Sequence, residues 1–174
     1  MLKALIAGAS LSAIVMAQGS SQTQARDPWK AVRFLLGTWE AKTRGGSAGA
    51  LASGTYTFRL ELRDHVLARH SLSAGCTGPA DFDCEHSDLL YLYPDAAGQP
   101  LKAIYFDNEG HVIHYDLTTP APNTAVLVSP ASSNSPQFRL MYELKGPLLV
   151  GKFQMRMPGE SEFRSYLEWS GGRK

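Results

Sequence analysis

Phe34-Leu35-Leu36-Gly37-Thr38-Trp39-Glu40 decides how the chain is read. An apolar, helix-like lead-in runs into a glycine, and the glycine opens a segment that carries a tryptophan. Just upstream, Asp27-Pro28 has the form of a helix start: an N-cap residue followed by proline at the first helical position. Trp29, Val32, Phe34 and Leu36 supply apolar surface over barely two turns. This predicts a short helix over 28–35 that lids one end of a barrel, with Gly37 ending it and Trp39 packed beneath it.

Downstream, strand follows strand. Residues 37–43 read as the first. Residues 54–62 alternate cleanly, with Tyr56, Phe58, Leu60 and Leu62 on one face and Thr55, Thr57, Arg59 and Glu61 on the other. That period of two marks a half-buried strand. Arg63-Asp64-His65 turns it into 66–73. Further strands are expected over 86–93, 101–106, 111–117, 125–128, 138–143, 148–155 and 162–169. They are separated by turn signals such as Pro94-Asp95-Ala96-Ala97-Gly98, Asp107-Asn108-Glu109-Gly110 and Lys145-Gly146-Pro147. About ten strands joined by hairpin-length connections predict an all-β fold, an antiparallel up-and-down barrel, because closure removes the sheet edges.

Residues 1–25 have the parts of a secretory signal peptide. Lys3 precedes a charge-free apolar run from Ala4 to Met16, and small residues mark cleavage near Ala17 or Ala25. Residues 26–174 are then a single domain, exported to the periplasm or secreted. Without Lys3 the 17 Lys+Arg become 16, matching the 16 Asp+Glu. A neutral body gives no reason to expect nucleic acid or an anionic membrane as partner, and no later apolar run approaches a membrane span. The two cysteines, Cys76 and Cys84, flank a Gly/Pro/Asp segment. In an exported chain they read as a disulfide tying a loop at one rim, worth about 2–3 kcal/mol.

The stretch Phe34–Trp39, the hairpin from Ala103 to Val112 and Phe138-Arg139-Leu140-Met141-Tyr142 resemble the calycin-like barrels: lipocalins, fatty-acid-binding proteins and nitrobindin-like haem barrels. They resemble most closely a group of exported bacterial lipocalin-like proteins of unassigned function. The resemblance covers about 28 to 170 and implies a lumen that holds a small, partly apolar or amphipathic molecule without a cofactor. Gly37-Thr38-Trp39 looks like the G-x-W start of such barrels and carries structural roles for Gly37 and Trp39. Arg164-Ser165-Tyr166 looks like the Arg-x-Tyr pair by which fatty-acid-binding proteins hold a carboxylate, where a guanidinium fork and a phenol donate to one head group. Alternation argues otherwise, since Phe163, Leu167 and Trp169 form the apolar face of that strand. Arg139, Tyr142 and Tyr105 are further candidates for the ligand wall, and Arg69 shares the ambiguity of Arg139.

Other chemistry has less to stand on. Haem in the nitrobindin manner needs a histidine near the C-terminal end, and none follows His114. His111 and His114 are three apart on one strand and face opposite ways. His70 and His86 flank the cysteine loop, as a lumenal pair or as structural histidines. No G-x-S-x-G marks a nucleophile, and Asp81, Asp83, Glu85 and Asp88 lack the spacing of a calcium loop. No catalytic or metal-binding residue is assigned. Binding is the leading expectation. A barrel enzyme acting on a hydrophobic substrate would need a strongly shifted titratable group in the lumen, and a filled structural barrel would leave no cavity.

Overall fold

The computed structural model of the chain describes residues 27–96 and 100–174. The expected leader over 1–25, and Ala97 and Gly98 of the expected turn over 94–98, lie outside the described residues. Ten antiparallel strands close into one barrel. In chain order they are β1 (Gly37–Gly45), β2 (Leu51–Glu61), β3 (Val66–Thr77), β4 (Asp88–Pro94), β5 (Leu101–Asp107), β6 (Val112–Thr118), β7 (Thr124–Val128), β8 (Gln137–Lys145), β9 (Leu148–Arg156) and β10 (Arg164–Gly172). Each pairs with its sequence neighbour, and β1 pairs with β10, so the meander leaves no open edge.

Two local expectations are sharpened. The short helix expected over 28–35 is present as a 3₁₀ helix over Lys30–Leu35. Tight winding suits so short a piece, six residues long. The Asp27 carboxylate fastens its start, accepting from the Trp29 backbone N–H at 3.0 Å and from Arg33 Nε at 2.9 Å. Strands β2 and β3 also run further than expected. Leu51 pairs with Thr77 and Ala52 with Cys76, so glycine- and serine-rich segments of loop composition are drawn into the ladder by their partner strand.

The 3₁₀ helix closes one end of the barrel. Val32 and Leu35 are fully buried, and Trp39 lies against them with its indole N–H donating to the Leu35 carbonyl at 2.7 Å. The Trp29 indole N–H donates to the Asp64 carbonyl at 2.8 Å, which ties the helix to the β2–β3 turn. Arg173 stacks 4.4 Å from the Trp39 ring and donates to the Leu36 carbonyl. Gly37 has φ +115°, and a Cβ there would run into the Arg173 guanidinium, so glycine is required at this break. Behind this lid, Phe58, Leu67, Leu92, Leu127 and Leu149 fill the floor completely. Each such side chain contributes about 1.5–3 kcal/mol by leaving water.

Candidate ligand cavity

The other half of the barrel is not filled. A cavity of about 500 Å³ lies on the side of the Cys76–Cys84 loop. The two cysteines are bonded, and Asp81, Phe82 and Asp83 of the tied loop line the cavity mouth. Asn108 Nδ2 donates to the Asp83 carboxylate at 3.0 Å, and the Ser87 N–H donates to Asn108 Oδ1 at 2.8 Å, so the loop is pinned to the β5–β6 turn.

The wall has two arcs. Strands β8, β9 and β10 supply an apolar one: Phe138, Leu140, Phe153, Met155, Leu167 and Trp169. Phe138 and Phe153 stack with centroids 5.7 Å apart. Gly151 makes room for the Trp169 indole, since a Cβ at 151 would approach its ring to 2.2 Å. Strands β2 to β6 supply the polar arc: Tyr56, Arg69, Ser71, Asp88, Tyr105 and Tyr115, with His86 just ahead of β4.

Within the polar arc, Arg69, Ser71, Asp88, His86 and Tyr105 form one connected network. Arg69 is 5% exposed. Its Nη1 donates to the Tyr142 hydroxyl and its Nη2 to Asp88 Oδ1. Ser71 donates to the same Asp88 oxygen at 2.9 Å. His86 Nε2 stands 3.4 Å from Asp88 Oδ2 and 3.0 Å from the Tyr105 hydroxyl, while Nδ1 meets Glu109 at 3.0 Å. A charge this deep needs a paired partner to offset its lost hydration.

These contacts move the titrations. Burial alone would raise Asp88, but the Arg69 charge, His86 and Ser71 outweigh it and hold its carboxyl down at about 2. The hydrogen bond to Asp88, opposed by burial and supported by Glu109, pushes His86 up to about 9. At neutral pH His86 is therefore an imidazolium and donates from both ring nitrogens. Burial pushes the Tyr142 phenol up to about 12 and raises those of Tyr56, Tyr105 and Tyr115, so all four remain neutral.

The residues expected on the ligand wall separate into three groups. Tyr105 and Tyr166 line the cavity. Tyr142 is fully buried and meets the network through Arg69. Arg139 and Arg164 do not line it. Arg139 donates to Gln154 at 2.7 Å and sits 4.2 Å from the Phe163 ring centroid, on the face of β8 opposite Phe138 and Leu140. Arg164 pairs with Glu160 at 2.6 Å with its side chain 77% exposed. A register shift between Ser165 and Leu167 breaks the alternation of β10. It brings Tyr166 and Leu167 together to the lumen and leaves Arg164 outside.

Ser71, Tyr56 and Tyr115 line the cavity without having been expected there, and Arg69, His86 and Asp88, raised only as an ambiguous arginine, one of a histidine pair and an acidic loop residue, line it with them. The signal was present in parity: Arg69 and Ser71 share a face with Leu67, and Asp88 shares one with Leu90 and Leu92. His70 and His86 are not a lumenal pair, since His70 bonds Glu61 at 3.0 Å and packs edge-on against Tyr91. At the mouth, Asp83, His86 and Glu109 form one group of potential cation donors and Asp107, Glu109 and His111 another, with donor atoms within 4.8 Å. Both are internally bonded, His86 to Glu109 and His111 to Asp107. No protein-family model matches the sequence, and no curated protein matches it either.

Proposed function

We propose that this protein is a calycin-like, exported binding protein that holds one small, largely apolar molecule in the upper half of its barrel. The observation that carries the reading is the two-sided cavity: about 500 Å³, within the ~300–1,000 Å³ of small-molecule sites, apolar on β8–β10 and polar on β2–β6. The ligand's body packs on Phe138, Phe153 and Trp169, and its polar end faces Arg69, Tyr56 and Tyr105. Tyr166 and Phe82 lie at the edge of the same space. The cysteine pair favours an oxidising compartment, reached with a leader cleaved near Ala17 or Ala25. Outward charges such as Lys102, Asp116, Glu143, Lys152 and Glu168 favour water rather than lipid around the barrel.

Titrating delipidated protein with the uncharged fluorophore N-phenylnaphthylamine tests the reading. Saturable binding of one probe per chain, lost when Ile113 is replaced by Trp to fill the lumen, supports it. Unsaturable or lumen-independent fluorescence would sink it.

A second reading rests on a separate observation. The chain Arg69–Asp88–His86–Tyr105 places a charged imidazole against a lumenal phenol, an arrangement able to hand a proton to a bound substrate. Under that reading the barrel is an enzyme on a hydrophobic substrate, with His86 and Tyr105 as the proton-transfer pair. Turnover of a bound apolar compound, abolished in His86→Gln with binding intact, would favour it over simple storage or transport.

A further inference from the structure

We infer that the polar end of the ligand is an uncharged oxygen acceptor, a carbonyl, seated between the Arg69 guanidinium and the Tyr56 hydroxyl. The inference rests on the lumen being a binding site and names the chemistry that it selects. Among the described residues, Arg69 Nε and the Tyr56 hydroxyl are the buried side-chain polar atoms without a hydrogen-bond partner. Both residues line the cavity, and both are nine-tenths or more buried. On the β2–β3 ladder Tyr56 stands opposite Ser71 and Arg69 opposite Phe58, so the two are diagonal neighbours on the inward face. Diagonal positions lie within reach of long side chains. Two unmatched donors at neighbouring inward positions of one cavity wall call for an acceptor, because a buried donor left unpaired costs more than a paired one gains.

The charges around them select the kind of acceptor. Asp88 already neutralises Arg69, and Ser71 donates to the same carboxylate oxygen. A ligand carboxylate would put a second anion beside Asp88 in a dry site, which is repulsive and costly to desolvate. The mouth adds to this with the carboxylates of Asp81, Asp83, Asp107 and Glu109, against which only His86 and His111 can set positive charge. A cationic head would be tolerated at that mouth, but deeper in it would meet Arg69 and two donors. A carbonyl of a ketone, aldehyde or ester offers lone pairs without charge and leaves its apolar remainder for the β8–β10 wall.

The test uses the full chain, delipidated, with N-phenylnaphthylamine displaced at neutral pH by a medium-chain methyl ketone or by the fatty acid anion of equal chain length. The ketone is expected to displace the probe at a concentration lower by about tenfold, since the anion must be desolvated beside Asp88. Tyr56→Phe, which removes only an unpartnered hydroxyl, is expected to weaken the ketone about 3–10-fold relative to the probe. An anion that binds as well as the ketone, or a ketone indifferent to Tyr56→Phe, overturns the inference and leaves lumenal binding standing. Failure of the probe itself to bind overturns both.

Discussion

The two ends of the barrel are built from the same strands and differ in what those strands point inward. Along β2 the inward residue changes from Phe58 to Tyr56; along β3 from Leu67 to Arg69 and Ser71; along β4 from Leu92 and Leu90 to Asp88. Parity never changes, only side-chain chemistry. The floor buries apolar groups under the 3₁₀ helix and is filled. The upper half buries charges, and these must be matched and solvated by one another, which holds the polar arc apart from the apolar wall. One barrel thus carries a filled half and an open half.

Substitutions in each half should separate these roles. The largest effect is expected from Arg69→Met, which strands Asp88 and costs about 3–5 kcal/mol of unfolding free energy by urea denaturation. Adding Asp88→Leu should return most of that loss. An Arg69→Met cost below about 1 kcal/mol would mean the pair is not held dry. Leu35→Ala in the floor should cost about 2–4 kcal/mol and leave probe affinity of the folded protein unchanged. A tenfold affinity change would show the two halves are coupled. Replacing both Cys76 and Cys84 by Ser should remove about 2–3 kcal/mol and speed probe release, since the tied loop lines the mouth.

The pH dependence belongs to the upper half. Asp88 is held at about 2, below its ordinary value of 3.8, so its contribution is whole above about pH 4 and is lost as pH falls through 2. For a carboxylate this deep that amounts to about 2 kcal/mol. His86 is held at about 9, above its ordinary value of 6.5, so its contribution is whole below pH 6.5 and is lost as pH rises through 9. Urea midpoints should therefore fall at both ends, and His86→Gln should flatten the alkaline limb and, by removing one of the groups that hold Asp88 down, shift the acid limb to higher pH. The smallest effect is expected from Arg164→Ala. That side chain is exposed and outside the cavity, and stability and probe affinity should both stay as in the parent chain.

The floor was legible in the sequence because it follows simple rules. Gly37 must break the chain, Trp39 must find apolar neighbours, and period-two strands joined by hairpin turns must meander and close. The upper half was less legible for two physical reasons. Polar residues at inward positions read as outward ones when polarity decides the face, which hid Arg69 and Asp88 and made Arg139 look equivalent to Arg69. Alternation also fails at a bulge, so the face of Tyr166 could not be read from Phe163 and Leu167. His86 precedes its strand and is placed by partners distant in sequence, Glu109 and Tyr105.

Native mass spectrometry of the protein purified from its producing cell, beside the Ile113→Trp variant, tests the ligand-binding account most directly. The account predicts one bound small molecule per chain in the parent protein and none in the variant. Equal occupancy in both, or a parent protein that stays empty and takes up no apolar carbonyl compound when offered one, would contradict it.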